Sequence, residues 1–155
     1  MTVDGLGRPL TRTDKSVRAG RAIDPVEYAN RTHTEHAEQV ALFAWASLPH
    51  IAAQYPELEH MFAIPNGGLR DPITASNLKA EGVRDGVSDV FLPVARHGCH
   101  GLFLEMKRPK SDKGAAGREA KNQAKFSAAM RKNGYGTFLA VGWEAARDVI
   151  VQYLS

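Results

Sequence analysis

The stretch Asp89-Val-Phe-Leu-Pro-Val94, the turn Arg96-His-Gly-Cys-His100 and the run Gly101-Leu-Phe-Leu-Glu-Met-Lys107 decide how this chain is read. Two short apolar runs, rich in β-branched and aromatic residues, flank a segment of turn character. That pattern predicts a β-hairpin. Side chains alternate along a strand, so Glu105 and Lys107 point to one face. Buried charges are costly unless they are paired or bound to metal. If Asp89 lies across the hairpin from Glu105, two carboxylates and an ammonium converge. An exposed ion pair between Glu105 and Lys107 is the plain alternative, and such a pair contributes little. The run Gly86-Val-Ser-Asp89, entering the first strand, favours the convergent arrangement.

Length and composition fit one folded domain. The chain has 155 residues, enough for a sizeable core. No apolar run approaches the roughly 20 residues that span a bilayer. The N-terminus lacks an apolar signal core, so export is not expected. Cys99 is the single cysteine, which leaves no internal disulfide and suits a reducing compartment. Net charge is only +3, but it is uneven. From Lys107 to Lys132 nine bases face two acids, Asp112 and Glu119, a net of +7. Directly after a carboxylate cluster, such a run fits attraction of a polyanion. It supplies Arg108, Lys110, Lys113, Arg118, Lys121 and Lys125 as candidate DNA-binding residues.

Outward from the hairpin, the rest of the chain takes an order of elements. Residues 1–33 show no sustained periodicity and read as a loosely packed arm, with a helical turn near Pro25-Val-Glu-Tyr28. A domain over 34–155 follows. Thr34 caps a helix whose inward stripe is read as Ala37, Val40, Ala41, Ala44 and Leu48, with Pro49 as its stop. Glu59 to Ile64 reads as a strand ended by Pro65-Asn-Gly-Gly68. Asp71 and Pro72 open a short helix that Gly82 closes. Arg118 to Lys132 reads as a helix with Ala120, Ala124, Ala128 and Met130 inward, stopped at Asn133-Gly134. Tyr135 to Val141 is a strand and Trp143 to Leu154 an amphipathic helix. The fold class is α/β, a mixed central sheet flanked by helices, with the last strand beside the hairpin.

The constellation suits phosphodiester hydrolysis. That reaction needs an activated water, a stabilised leaving oxygen and neutralised phosphate charge. Magnesium takes hard oxygen ligands, commonly one or two carboxylates, and keeps several waters. Asp89 and Glu105 supply carboxylates, and the Met106 carbonyl adds an oxygen. Lys107 can hold water or phosphate oxygens. Gln123 is placed to hydrogen-bond phosphate or water. On the first helix Glu35 and Glu38 lie one turn apart, and either can serve an outer water or a second metal. Each also has an ordinary use near a helix N-terminus.

Several ordered motifs together resemble the VRR-NUC group of the PD-(D/E)XK nucleases. They are Ile64-Pro-Asn-Gly-Gly-Leu-Arg70, Leu78-Lys-Ala-Glu-Gly-Val83, Gly86-Val-Ser-Asp-Val-Phe-Leu-Pro93, Gly101 to Lys107, and Gln123, and the resemblance runs from about Glu35 to Leu154. It implies a restriction-endonuclease-like αβββαβ core and a Mg²⁺- or Mn²⁺-dependent DNA nuclease. Asp89 and Glu105 would be metal ligands, Lys107 the catalytic lysine and Gln123 a supporting residue. Glu35 matches the family's helix acid better than its rival Glu38. Asn66 enters as a DNA-binding candidate through its motif. Stand-alone members resemble homodimeric enzymes of phages and bacteria that act on branched DNA, Holliday junctions or flaps. The implied setting is a bacterial or phage-infected cytoplasm. Two departures stand out. Ser88 replaces the usual proline before the aspartate, and Val141-Gly-Trp143 replaces the Val-Arg-Arg triplet.

Two other functions remain open at this point. One is a catalytically inactive, nuclease-like DNA-binding or assembly module. The other is a phosphodiesterase acting on RNA or nucleotides. A zinc site from His97, Cys99 and His100 has no standard spacing, and a hairpin turn explains them better.

Overall fold

In a computed structural model, residues 23–32, 34–65, 71–109 and 117–155 are described. Asn66, Lys110 and Lys113 lie outside them, as does most of the expected N-terminal arm. The helices are α1 (Pro25–Thr32), α2 (Glu35–Ala46), α3 (Pro49–Gln54), α4 (Pro72–Ala80), α5 (Arg118–Lys132) and α6 (Trp143–Leu154). The strands are β1 (Phe62–Ala63), β2 (Val90–Leu92), β3 (Leu102–Lys107) and β4 (Gly136–Val141). They form one sheet in the order β1-β2-β3-β4. The first three are antiparallel, and β4 runs parallel to β3. This is the mixed sheet flanked by helices expected from the sequence.

The hairpin closes through a two-residue turn. Arg96 and Cys99 exchange backbone hydrogen bonds of 3.1 and 2.8 Å. His97 and Gly98 between them both have positive φ, 51° and 77°. That is the backbone a tight hairpin requires, because its twist matches the strands. His97 and Gly98 are thus the central residues of the turn.

One sheet face is the core. Val90, Leu92, Leu102, Leu104 and Met106 are buried there against α2 and α6, which contribute Ala41, Leu42, Trp45, Trp143 and Ile150. The Tyr153 hydroxyl donates to the Val94 carbonyl at 2.7 Å and ties the end of α6 to the exit of β2. On the other face Phe103 meets Phe126 of α5 edge-on, ring centroids 5.2 Å apart.

Five local expectations need correction. The inward face of α2 is rotated: Glu38, Leu42 and Trp45 are buried, whereas Val40, Ala44 and Leu48 line an open apolar recess of about 520 Å³. Trp45, the bulkiest apolar side chain of α2, is buried in the core on that side. Pro49 begins α3 instead of ending the previous helix, because its ring is compatible with a first turn. Residues 59–60 belong to a 3₁₀ turn, Pro56–His60, and only Phe62 and Ala63 pair as a strand. On α5 the inner contact is made by Phe126, and Ala124 and Ala128 are exposed. The turn foreseen at Pro25–Tyr28 is the start of an eight-residue helix whose Ala29 joins the core.

Candidate active site

Register places the acids. Val90 pairs with Leu104, so Asp89, one residue earlier, stands opposite Glu105. The Asp89 Oδ2 accepts the Met106 N–H at 2.7 Å, which fixes the carboxylate at the end of β2. Ser88, in place of the resembled family's proline, is buried directly before it. Lys107 Nζ lies 2.9 Å from Glu105 Oε1 and 3.7 Å from a Glu35 carboxylate oxygen. These four side chains line a cleft of about 410 Å³, with Arg118 and Gln123 of α5 on its far wall.

Glu35 and Glu38 part company. Glu35 is exposed and faces Lys107. Glu38 is 3% exposed, and its Oε2 accepts the Trp143 N–H at 2.7 Å. It thereby satisfies an otherwise orphaned donor at the start of α6 and complements the helix dipole. The structure brings Glu35 to the cleft and gives Glu38 a structural partner.

The electrostatics follow from burial. Glu105 is pushed up to about 7, first by loss of solvent and then by the Asp89 charge. Asp89 is raised too, because burial outweighs the Met106 amide and the Lys107 charge. Burial works against the Lys107 charge. Its hydrogen bond to Glu105 and the charges of Glu105, Glu35 and Asp89 together outweigh that, so its pKa is raised and it stays an ammonium near neutrality. Two carboxylates held together against their preference are a favourable setting for a cation.

The donor set fits a small hard cation in one further respect. Glu105 Oε2 is buried with no hydrogen-bond partner, an expensive state for a carboxylate oxygen. Two carboxylates and one backbone carbonyl are a sufficient protein share for magnesium, which retains water. The Met106 carbonyl is the backbone candidate for that share. Gly136 and Gly142 donate to Gly101 and Lys107, so β3's odd residues bond β4 and Met106 turns its peptide groups toward Asp89.

Other candidates are placed less centrally. Gln123 Nε2 sits 3.5 Å from Glu119 Oε1 on the cleft wall. Lys121 and Lys125 are exposed on α5, and Arg108 is exposed beyond β3; none of the three lines the cleft. Lys79, Asp85, Glu119 and Asn122, not singled out from the sequence, do line it. Lys79 pairs with Asp85 at 3.8 Å. Gly86 explains the approach of that segment to α5: a Cβ there would meet the Asn122 carbonyl carbon at 2.5 Å. A glycine four residues before a strand, and three before Asp89, was the available signal.

No family model matches the chain, and no curated protein matches it. Among solved structures, the chain is similar to one described as a VRR_NUC domain protein, with 25% identity and a TM-score of 0.59. The similarity covers 78% of this chain and 88% of that one. The shared architecture and the cleft on its polar sheet face thus make this chain a distant relative of a VRR_NUC domain protein.

Proposed function

We propose that this chain is a Mg²⁺- or Mn²⁺-dependent DNA endonuclease of the VRR-NUC type, selective for branched DNA and active as a homodimer. One observation carries it: Asp89, Glu105 and Lys107 converge on one cleft, with Glu105 Oε2 buried and unpartnered. Asp89, Glu105 and the Met106 carbonyl would hold the cation. When bound, it would supply an activated water and charge neutralisation at the leaving oxygen.

The remaining work falls to side chains of the cleft. Lys107, kept protonated by its three acidic neighbours, donates to a phosphate oxygen and offsets charge that grows as water attacks phosphorus. Glu35, exposed and within reach of Lys107, accepts a hydrogen bond from the attacking water and orients it in line with the bond that breaks. Arg118 and Gln123 face the phosphate from α5. The basic run after β3 draws in the DNA backbone.

The alternative is a nuclease-like DNA-binding or assembly module without catalysis. The observation behind it is that, although Glu35, Asp89 and Glu105 share the cleft, no group of three or more among the described residues is arranged to hold a metal ion. Cleavage of labelled four-way junction, flap, duplex and single-stranded DNA with Mg²⁺ or Mn²⁺ separates the two. Expected is metal-dependent cutting, strongest on a branched substrate and lost in Asp89→Ala and Lys107→Ala. Binding without cutting in either metal selects the inactive module. Cutting of RNA in preference to every DNA points to the other phosphodiesterase class.

A further inference from the structure

We infer that Lys79 is a phosphate-positioning residue of the cleft, held by Asp85 in the free protein and handed to the DNA backbone when substrate enters. The inference rests on the reading above, that the cleft takes DNA. What it adds is a further contact and the exchange of partners that governs it.

The charge of the cleft sets the problem. Among the described residues its lining carries five acids, Glu35, Asp85, Asp89, Glu105 and Glu119, against three bases, Lys79, Lys107 and Arg118. Such a surface repels a phosphodiester unless its bases are turned toward it. Lys107 already answers to Glu105 at 2.9 Å and Glu35 at 3.7 Å. Arg118 comes from α5. Lys79 is the basic residue on the wall that α4 and the segment after it build.

That wall is held by its ends. None of the α4 side chains is buried, so the helix adds nothing to the core. Asp71 caps its first turn, accepting the Ile73 and Thr74 N–H groups at 3.1 and 3.0 Å. At the other end the Val83 N–H donates to the Leu78 carbonyl at 2.9 Å, across Gly82 with a φ of 105°. The chain then reaches Gly86, seated against Asn122 of α5 with no room for a side chain. The end of α4 that carries Lys79 is thus tied to the helix that carries Arg118.

The partner of Lys79 is easily displaced. Its Nζ lies 3.8 Å from Asp85 Oδ2, and the two side chains are 66% and 61% exposed. That separation is too long for a hydrogen bond, and an exposed pair of this kind contributes little to stability. A lysine in a last helical turn also complements the helix dipole, but that use requires neither Asp85 nor the cleft. The ammonium has three donors on a flexible stem. A phosphate oxygen, accepting at hydrogen-bond length, is the stronger partner and takes the place of Asp85.

Binding in chelator reads this contact apart from cutting, so an inactive nuclease leaves the test standing. The full chain is titrated into labelled flap and duplex DNA by fluorescence anisotropy, across about 50–200 mM salt. Lys79→Ala is expected to weaken binding by roughly threefold or more and to lower the salt slope by about one. Lys79→Arg is expected to retain both. Asp85→Asn frees the ammonium and is expected to tighten binding by roughly two- to fivefold, a gain that vanishes when Lys79→Ala is added. With Mg²⁺ or Mn²⁺, Lys79→Ala should raise KM and leave kcat close to wild type. Lys79→Gln decides if the alanine variant fails to fold. Unchanged affinity and slope in a folded Lys79 variant overturn the inference alone. So does an Asp85→Asn gain of equal size with and without Lys79, because Asp85 then acts as a bare charge. A wild type that binds none of these DNAs overturns the inference together with the reading it rests on.

Discussion

The two faces of β3 do opposite things with the same six residues. Leu102, Leu104 and Met106 are almost fully buried against α2 and α6. Phe103, Glu105 and Lys107 alternate with them and look toward α5 and the cleft. The apolar face removes surface from water and stabilises the fold, at roughly 25 cal/mol per Å². On the polar face, burial raises the cost of charge on both Glu105 and Asp89, and the Asp89 charge raises that of Glu105 further. A scaffold rigid on one side can keep a strained charge arrangement on the other. A single strand thus divides the labour, and substitutions on its two faces should fail differently.

The largest contrast is expected for Lys107→Ala against Leu104→Ala. Removing the ammonium should lower cleavage on the order of a thousandfold at a stability cost well below that of Leu104→Ala, because Glu105, left without its partner, keeps its proton; initial rates and thermal melting read the two effects. Truncating Leu104 leaves a cavity in a fully buried layer and should cost about 2–5 kcal/mol in denaturant unfolding. Equal stability loss in both variants would break the division between faces.

A pH titration sharpens it. Glu105 keeps its proton in the folded protein to about pH 7 but loses it near the ordinary glutamate value when unfolded. Between those values the folded state binds more protons, so stability falls as pH rises through this window. In chelator the loss should total about 3 kcal/mol at most, and Glu105→Gln should flatten it. Asp89, also raised, adds with the same sign. Lys107, charged throughout, adds no slope. The melting temperature measured at steps across this range reads the effect. A stability that climbs with pH there would contradict the assignment.

The smallest expected difference separates two acids one turn apart. Glu38→Ala strips the buried Trp143 N–H of its acceptor and should cost about 1–3 kcal/mol. Glu35→Ala should change stability by less than about 0.5 kcal/mol, because its side chain is half exposed. Its cleavage rate should nevertheless drop by about tenfold or more. Unfolding curves and rates for the pair decide which acid serves the cleft.

That pair also shows where sequence stops. Asp89, Glu105 and Lys107 were legible because strand alternation and a hairpin turn are local rules, and both charges of Glu-x-Lys must share a face. The mixed sheet followed from the order of short apolar runs. Glu35 and Glu38 were not separable by local rules: the partner of Glu38 is a backbone amide 105 residues away. The rotation of α2 is not local either, since Trp45 is buried among residues of β3 and α6 that lie far along the chain. The inner side of α5 was not legible because alanine is compatible with either environment, whereas Phe126 has a ring that meets Phe103 edge-on. Lys79 and Asp85 entered the cleft through the seat of Gly86 on α5, a contact no periodicity announces.

The polar face is most directly tested by calorimetric titration of Mn²⁺ into wild type and Glu105→Gln at neutral pH. Expected is saturable binding at one class of site per chain in the wild type and near loss of it in the variant, because Asp89 alone then carries the cation. Binding of equal affinity and stoichiometry in both proteins, or none in the wild type, would contradict a metal centre between Asp89 and Glu105.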